Sequence, residues 1–141
     1  MGCSDNFVHA GLMTWFCCGN AYLRCAATGT GSCGTCQNSL HRCAWPNVTD
    51  ACHSLTRPED CGISLPRYGC GHGFYAVNKC SGGCVFVTIA TCGPDTNRFC
   101  GEFHSCGSFG GQNRIIDLTP SAWLTVVSSL DVGPRPCTVH N

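Results

Sequence analysis

The sequence predicts a mainly β protein, a barrel of short strands with one late α-helix and long disulfide-bonded loops. Three observations lead to this fold class. Short apolar runs of strand length recur along the chain and are separated by turn residues. Cysteine accounts for sixteen of the 141 residues, a density typical of disulfide-stabilised proteins. One late segment has the apolar spacing of an amphipathic helix, and the length suits one domain spanning residues 1–141.

The first predicted strand lies within residues 7–16 and is followed by adjacent Cys17 and Cys18. Neighbouring cysteines rarely bond to each other in ordinary geometry, so we expect these two to pair with different partners. Residues 19–65 form a cysteine-rich insertion in which Gly, Ser, Thr, Asn and Pro are abundant. This composition predicts long surface loops, with one short strand near residues 43–45.

Strand-like residues resume at 74–78 and at 85–90, and the second run is β-branched and apolar on both faces. The turn between them contains Gly82 and Gly83, which we expect to supply the positive φ of a tight hairpin. A further strand is predicted at 114–118, directly before the helix.

The predicted helix begins after Thr119, a favoured N-cap residue, with Pro120 in its first turn. Gly133 is expected to end it, and residues 137–139 form the last predicted strand. Apolar residues at positions i, i+3, i+4 and i+7 give the helix one face for the core. These are Trp123, Val126, Val127 and Leu130.

Charge and cysteine usage narrow the classes of function. Eight basic and eight acidic residues balance without a basic cluster, which argues against nucleic-acid binding. No apolar run is long enough to cross a membrane, and only Cys33 and Cys36 have the C-x-x-C spacing of zinc ligands, with no second such pair, so we expect no membrane, metal or cofactor. The even cysteine count allows up to eight bridges of unknown pairing. We therefore interpret the chain as the mature form of a secreted, extracellular protein that acts as a monomer.

Four segments of the chain carry motifs of a known superfamily: 11–16 (GLMTWF), 65–66 with 74–78, 85–94 (VFVTIATCGP) and 114–123 (RIIDLTPSAW). In this order they resemble the superfamily of rare lipoprotein A and the first domain of expansins. The resemblance covers nearly the whole chain outside the insertion. It implies a six-stranded double-psi β-barrel.

That superfamily includes lytic transglycosylases, wall-loosening expansins, family 45 glycoside hydrolases, barwin- and kiwellin-like defence proteins, and bacterial inhibitors of cysteine proteases. A shared fold does not choose among these activities, so the site residues must. The resemblance marks Thr14 and Asp117 as retained site residues, and Asp117 as the candidate catalytic carboxyl. Thr91 stands where the superfamily pattern has an Asp.

A threonine at position 91 cannot act as a general acid or base, whereas glycoside hydrolases use two carboxyl groups. Asp95, in the following loop, is a weak candidate for a displaced second carboxylate. Asp117 also has a structural interpretation, because it precedes the predicted helix by two residues and is placed to cap it.

Aromatic residues near these motifs are candidates for stacking on sugar rings: Trp15, Trp45 and Tyr75, with Thr14 as a polar neighbour. The alternative is that their rings belong to the core. His72 and His104 suggest a Cys–His nucleophile, but the even cysteine count argues against a free thiolate.

The sequence therefore predicts a secreted protein that binds or loosens cell-wall polysaccharide without ordinary hydrolysis. One alternative is a protein-binding inhibitor or defence protein, whose rigid disulfide-locked loops bind a secreted protein target with little ordering cost. The other alternative is a glycoside hydrolase or lytic transglycosylase with a relocated second carboxylate.

Overall fold

The computed structural model describes residues 3–49, 51–52, 65–94, 106 and 114–141. Its strands match the predicted segments to within a few residues, and one helix precedes the last strand. In chain order the elements are β1 (Phe7–Trp15), β2 (Arg42–Trp45), β3 (Gly73–Asn78), β4 (Cys84–Cys92), β5 (Arg114–Leu118), α1 (Pro120–Val126) and β6 (Arg135–His140).

The six strands form a closed barrel in the order β1-β5-β2-β4-β3-β6. β1 runs parallel to β5 and β2 runs parallel to β4, whereas the other neighbours are antiparallel. Closure removes the free sheet edges that would otherwise invite pairing with other chains. The prediction of a mainly β, six-stranded barrel with one helix is confirmed, and the two parallel pairs are consistent with a double-psi arrangement.

Alternate residues of β3 point into the barrel. In β3, Phe74 and Ala76 are fully buried, while Tyr75 between them is only partly buried. This alternation is the period of two expected for a strand with one face on a core. The largest fully buried side chains include Trp45 from β2 and Trp123 from α1.

Helix α1 is shorter than its apolar spacing predicted. It ends at Val126, and Val127 already has extended backbone with φ −131°. Val127 and Leu130 are nevertheless buried, so the spacing marked core contacts beyond the helix end. The expectation that the helix continues to Gly133 was wrong.

The hairpin between β3 and β4 differs from its prediction in one detail. Gly82 has the positive φ, 79°, that such a turn requires, but Gly83 does not. The turn therefore depends on one glycine rather than two.

Thr119 begins α1 without capping it through its side chain. Its buried hydroxyl donates to the Leu40 carbonyl at 2.5 Å and accepts from the Arg42 backbone N–H at 3.1 Å. The hydroxyl thus fastens the start of α1 to the segment that enters β2.

Replacing Thr119 with Val is expected to lower the free energy of unfolding by about 1–3 kcal/mol, because two hydrogen bonds are lost at a buried site. Urea denaturation measures the change. The matched control is Thr125→Val, an exposed position on the same helix whose hydroxyl bonds to the Ser121 carbonyl. That variant is expected to stay within about 0.5 kcal/mol of the original protein. Equal losses in the two variants would contradict the fastening role.

Six disulfides join described cysteines. The adjacent pair confirms its prediction, because Cys17 bonds to Cys25 and Cys18 bonds to Cys36. Two further bridges, Cys33–Cys70 and Cys52–Cys92, tie the insertion to residues near and within β4. The bridges between described cysteines are Cys3–Cys84, Cys17–Cys25, Cys18–Cys36, Cys33–Cys70, Cys52–Cys92 and Cys80–Cys106.

Cys43 and Cys137 are unpaired and buried in the barrel. The even cysteine count was expected to argue against a free thiolate, but two thiols are unpaired, so fewer than the eight possible bridges form. Burial raises the pKa of both thiols well above the usual value, so each stays protonated and unreactive. A nucleophilic thiolate is therefore disfavoured because these two thiols are buried, and not because they form disulfides.

Iodoacetamide at pH 8 is expected to leave Cys43 and Cys137 unmodified in the native protein. Unfolding in guanidinium without reductant exposes both thiols, and peptide mass spectrometry should then find both labelled. Labelling of either residue before unfolding would show that the burial is incomplete. A lack of label after unfolding would show that the two sulfurs are bonded in solution.

Candidate functional site

The parallel pairing of β1 with β5 brings Thr14 and Asp117 together, although 103 residues separate them in sequence. They are direct register partners, and the Thr14 hydroxyl donates a hydrogen bond to Asp117 Oδ1. The start of α1 is held by Thr119 instead, so the Asp117 carboxyl is paired with another strand and not with the helix. The capping interpretation of Asp117 finds no support in this arrangement.

The same row of register partners extends across two more strands. Asp117 pairs with Ala44 on β2, and Ala44 pairs with Thr91 on β4. Directly paired residues point to the same face of a sheet. Thr14, Asp117, Ala44 and Thr91 therefore form one transverse line, here called the site row. Neighbouring strands lie about 4.8 Å apart, which puts the backbones of Asp117 and Thr91 roughly 10 Å apart.

Gly93 forms a wall of this site. The chain turns at the end of β4 with Gly93 at φ 138°, and its N–H donates to the Trp45 carbonyl at 3.2 Å. A Cβ at this position would lie 3.6 Å from the Ala44 Cβ and 3.7 Å from Asp117 Oδ2. The backbone of Gly93 therefore runs beside the carboxyl group. In the sequence, Gly93 stood out only as part of the motif at 85–94.

Burial raises the pKa of Asp117 above its ordinary value, since an anion loses water contacts there. The Thr14 hydrogen bond and the Arg114 charge both lower the pKa, but burial dominates. The fold thus holds a carboxylate that is short of favourable partners. Hydroxyl groups of a ligand that hydrogen-bond to Asp117 would replace the missing water and favour the charged form.

Thr91 serves as an anchor for the insertion. Its hydroxyl accepts a hydrogen bond from the Ser32 backbone N–H at 3.0 Å and lies 3.2 Å from the Ser32 hydroxyl. A Cβ on Gly31 would come within 2.4 Å of the Ala90 carbonyl oxygen, so the insertion backbone lies directly against β4. Thr91, at the position where the superfamily pattern has an Asp, therefore contacts the insertion through Ser32.

The tryptophans predicted to bind sugar have different environments. Trp15 is half-buried, and its indole N–H donates to the Leu130 carbonyl at 3.1 Å. Trp45 is fully buried, with its N–H on the Pro66 carbonyl at 3.0 Å and its ring 4.9 Å from Phe74. The expectation that Trp45 stacks on a ligand is therefore corrected, because its ring faces the core.

The remaining predicted residues do not join the site row. Tyr75 lies on β3, in the wall formed by β6, β3 and β4, with its ring 5.1 Å from that of Phe86. His72 stacks on Tyr68 at 3.9 Å and its Nε2 lies 2.9 Å from Asn141 Oδ1. Asp95 and His104 lie outside the described residues.

No group of three or more His, Cys, Asp or Glu side chains is placed to hold a metal ion within the described ranges. Across the same ranges, no helix has the length and apolar character needed to cross a membrane. In comparisons with known proteins, no protein-family model and no curated protein matches this chain. The functional argument therefore depends on the geometry around Asp117.

Proposed function

We propose that this protein is a secreted member of the double-psi barrel superfamily that binds and loosens cell-wall polysaccharide without ordinary hydrolysis. The observation that carries the proposal is the pairing of Thr14 with the half-buried Asp117 in a row that has no second carboxyl group. A carboxylate that burial disfavours gains from ligand hydroxyls more than an exposed one, which is already hydrated.

Thr14 and Asp117 have different roles in this proposal, since Thr14 orients the carboxyl group and Asp117 binds the ligand. Thr14 occupies Oδ1 of Asp117 and fixes the orientation of the carboxyl group. Oδ2 lies beside the Gly93 backbone, and the absence of a side chain on Gly93 lets a ligand approach the carboxyl group as closely as a Cβ would, at 3.7 Å. Hydrogen bonds from polysaccharide hydroxyls to a carboxylate are charge-assisted and compete with the hydrogen bonds between polymer chains. Such competition separates the chains without breaking a glycosidic bond.

Hydrolysis is disfavoured by the residue at position 91. Inverting glycosidases place their two carboxyl groups about 6.5–9.5 Å apart. The position two strands from Asp117 in the site row, roughly 10 Å away between backbones, is Thr91 and not a second carboxyl residue. The Thr91 hydroxyl is engaged with Ser32 and has no accessible acidic proton.

An extracellular location is part of the proposal. The six bridges are compatible with an oxidising compartment, where disulfides form and persist. Two of them, Cys33–Cys70 and Cys52–Cys92, also hold the insertion beside β4.

Incubation with insoluble cellulose, chitin and peptidoglycan, followed by centrifugation, tests the proposal. We expect the protein in the pellet with at least one polymer, and no release of reducing ends or anhydro-sugars. Recovery of all the protein in every supernatant would refute binding. Sugar release that Asp117→Asn abolishes would refute the non-hydrolytic part and favour the glycosidase alternative.

Protein binding is the second candidate, and the Tyr22–Cys25 turn favours it. The backbones of Tyr22 and Cys25 exchange two hydrogen bonds of 2.9 Å, and the Cys17–Cys25 bridge closes the loop. Leu23 at the tip is 61% exposed and has φ 51°. A rigid, exposed apolar tip suits an inhibitor. Nanomolar inhibition of papain- or subtilisin-like proteases, lost in Leu23→Ala, would favour this candidate; no inhibition at micromolar concentration would remove it.

A further inference from the structure

A second line of side chains crosses the barrel on the side away from the site row. Phe7 on β1 pairs with His140 on β6, His140 pairs with Tyr75 on β3, and Tyr75 pairs with Phe86 on β4. Direct partners share a face, so the four rings form one line across four strands, here called the outer aromatic row. The site row instead crosses β1, β5, β2 and β4.

The outer aromatic row faces away from the core. Phe7 is 57% exposed and Phe86 is 49% exposed, whereas the neighbours of Tyr75 along β3 are fully buried. Aromatic side chains bury large areas when they serve a core, so two exposed phenylalanines in one line require another explanation. Contiguous exposed apolar surface of this kind marks a binding surface.

The rings hold one another in defined positions. Phe7 and His140 form an edge-to-face pair with centroids 5.7 Å apart, and Tyr75 and Phe86 form a second pair at 5.1 Å. Phe86 also lies across Gly73 on β3, since a Cβ there would come within 2.2 Å of the Phe86 ring. A surface that is ordered before binding loses little conformational entropy when a ligand arrives.

Neutral hydroxyl groups flank the rings. Thr138 lies two residues before His140 on β6, and its hydroxyl is 2.8 Å from His140 Nε2. Thr88 lies two residues after Phe86 on β4 and shares its face. The outward positions next to the row on β3, Gly73 and Val77, are uncharged as well. On β3, β4 and β6 the rings are bordered by hydroxyls and uncharged residues, and exposed Asp5 lies only at the β1 end, two residues before Phe7. Such a surface fits a polymer whose sugar faces are apolar and whose edges carry hydroxyls.

We propose that the outer aromatic row binds a linear, uncharged polysaccharide laid across the four strands, as a surface separate from Asp117. Three strand spacings give the row a length of roughly 14 Å, enough for several sugar units. The ligand class rests on the proposed function, whereas the location is independent of it. Bound through this surface, the protein would stay attached to one polysaccharide chain while Asp117 in the site row binds a neighbouring chain.

Binding isotherms on cellulose and chitin, with peptidoglycan as the charged comparison, test this inference. Phe86→Ala is expected to weaken binding to the uncharged polymer about tenfold, since a stacking ring is lost. Phe86→Leu should weaken it similarly, because leucine keeps an apolar surface but has no ring, and Phe86→Tyr should preserve it. The control is Leu124→Ala, an apolar residue on α1 that is 38% exposed, for which we expect no change. Thermal melts confirm that each variant folds.

The possible outcomes separate this inference from the proposed function. Full binding by both Phe86→Ala and Phe86→Leu would overturn the inference and leave the proposed function standing. Binding lost in Phe86→Ala but kept in Phe86→Leu would overturn the stacking of sugars on the aromatic row, because general apolar contact would then account for polymer binding. A preference for peptidoglycan would overturn the uncharged ligand class. Failure of the unaltered protein to bind any polymer would overturn both proposals.

Discussion

Replacing Asp117 with Asn is expected to weaken polysaccharide binding about tenfold to a hundredfold while making the folded protein more stable at neutral pH. Asparagine keeps the shape of the side chain and the oxygen that accepts from Thr14, but it carries no charge. Charge-assisted hydrogen bonds contribute about 1.5–3 kcal/mol, which sets the expected loss of affinity. The gain in stability arises because burial disfavours the anion that the substitution removes.

The pH dependence follows from the direction of the pKa shift. The folded state raises the pKa of Asp117 above 3.8, so it holds the proton more tightly than the unfolded chain does. The stability that this proton provides is complete below pH 3.8 and is lost as the pH rises through the folded-state pKa. Polymer binding should rise over the same interval, because it uses the charged form. Denaturation and binding isotherms between pH 3 and 8 measure both trends.

Asp131→Asn is the matched control for this substitution. Asp131 is an exposed carboxylate paired with Arg24 at 2.5 Å, and its removal is expected to change stability by no more than about 0.5 kcal/mol. Binding should be unaffected. An Asp117→Asn variant that is less stable and still binds fully would show that the carboxyl group has a structural role only.

Removing the Cys52–Cys92 bridge with paired alanine substitutions is expected to cost about 4 kcal/mol of stability. The bridge closes a loop of 40 residues, and the chain-entropy relation gives that magnitude. Cys92 directly precedes Gly93, so the wall beside Asp117 loses its covalent support. We therefore expect weaker polymer binding as well, measured by guanidinium denaturation and by pelleting.

The Cys17–Cys25 bridge provides the comparison. It closes a loop of 8 residues, for which the same relation gives about 2.5 kcal/mol, and Cys25 is the last residue of the Tyr22–Cys25 turn. Its removal should lower stability by this smaller amount without affecting polymer binding. Two results would contradict the claim that the Cys52–Cys92 bridge holds Gly93 in place. One is a larger loss of stability on removing Cys17–Cys25 than on removing Cys52–Cys92, and the other is unchanged polymer binding without Cys52–Cys92.

Local patterns in the sequence predicted the strands well, because a strand is recognised from the apolar and β-branched residues within it. The residues 114–118 and the hairpin from β3 to β4 are examples. Predictions that depended on partners elsewhere in the chain were less successful. Phe86 belongs to a run that is apolar throughout, and only pairing with β3 shows that it faces outward. Trp45 was ambiguous for the same reason, since its neighbours Phe74 and Pro66 come from distant segments.

The candidate site divides in a similar way. Thr14 and Asp117 came from the resemblance of short motifs, and the structure places them side by side. Ala44 and Gly93 complete the surroundings, but neither carries a reactive group that sequence reasoning would select. Their importance comes from the register of β2 against β5 and from the path of the chain after β4. The register of a strand pair depends on the whole barrel, so it cannot be predicted from a local sequence pattern.

The two thiols inside the barrel can exchange with the disulfides whenever the protein unfolds. Cys43 and Cys137 are inert while buried, but unfolding exposes both thiols to the disulfides, which include twelve bonded sulfurs among the described residues. At alkaline pH the exposed thiolates attack disulfides and exchange partners. Heating above neutral pH is therefore expected to inactivate the protein irreversibly, whereas heating in acid leaves the original pairing intact on cooling. Enclosing these two side chains protects the covalent framework that surrounds them.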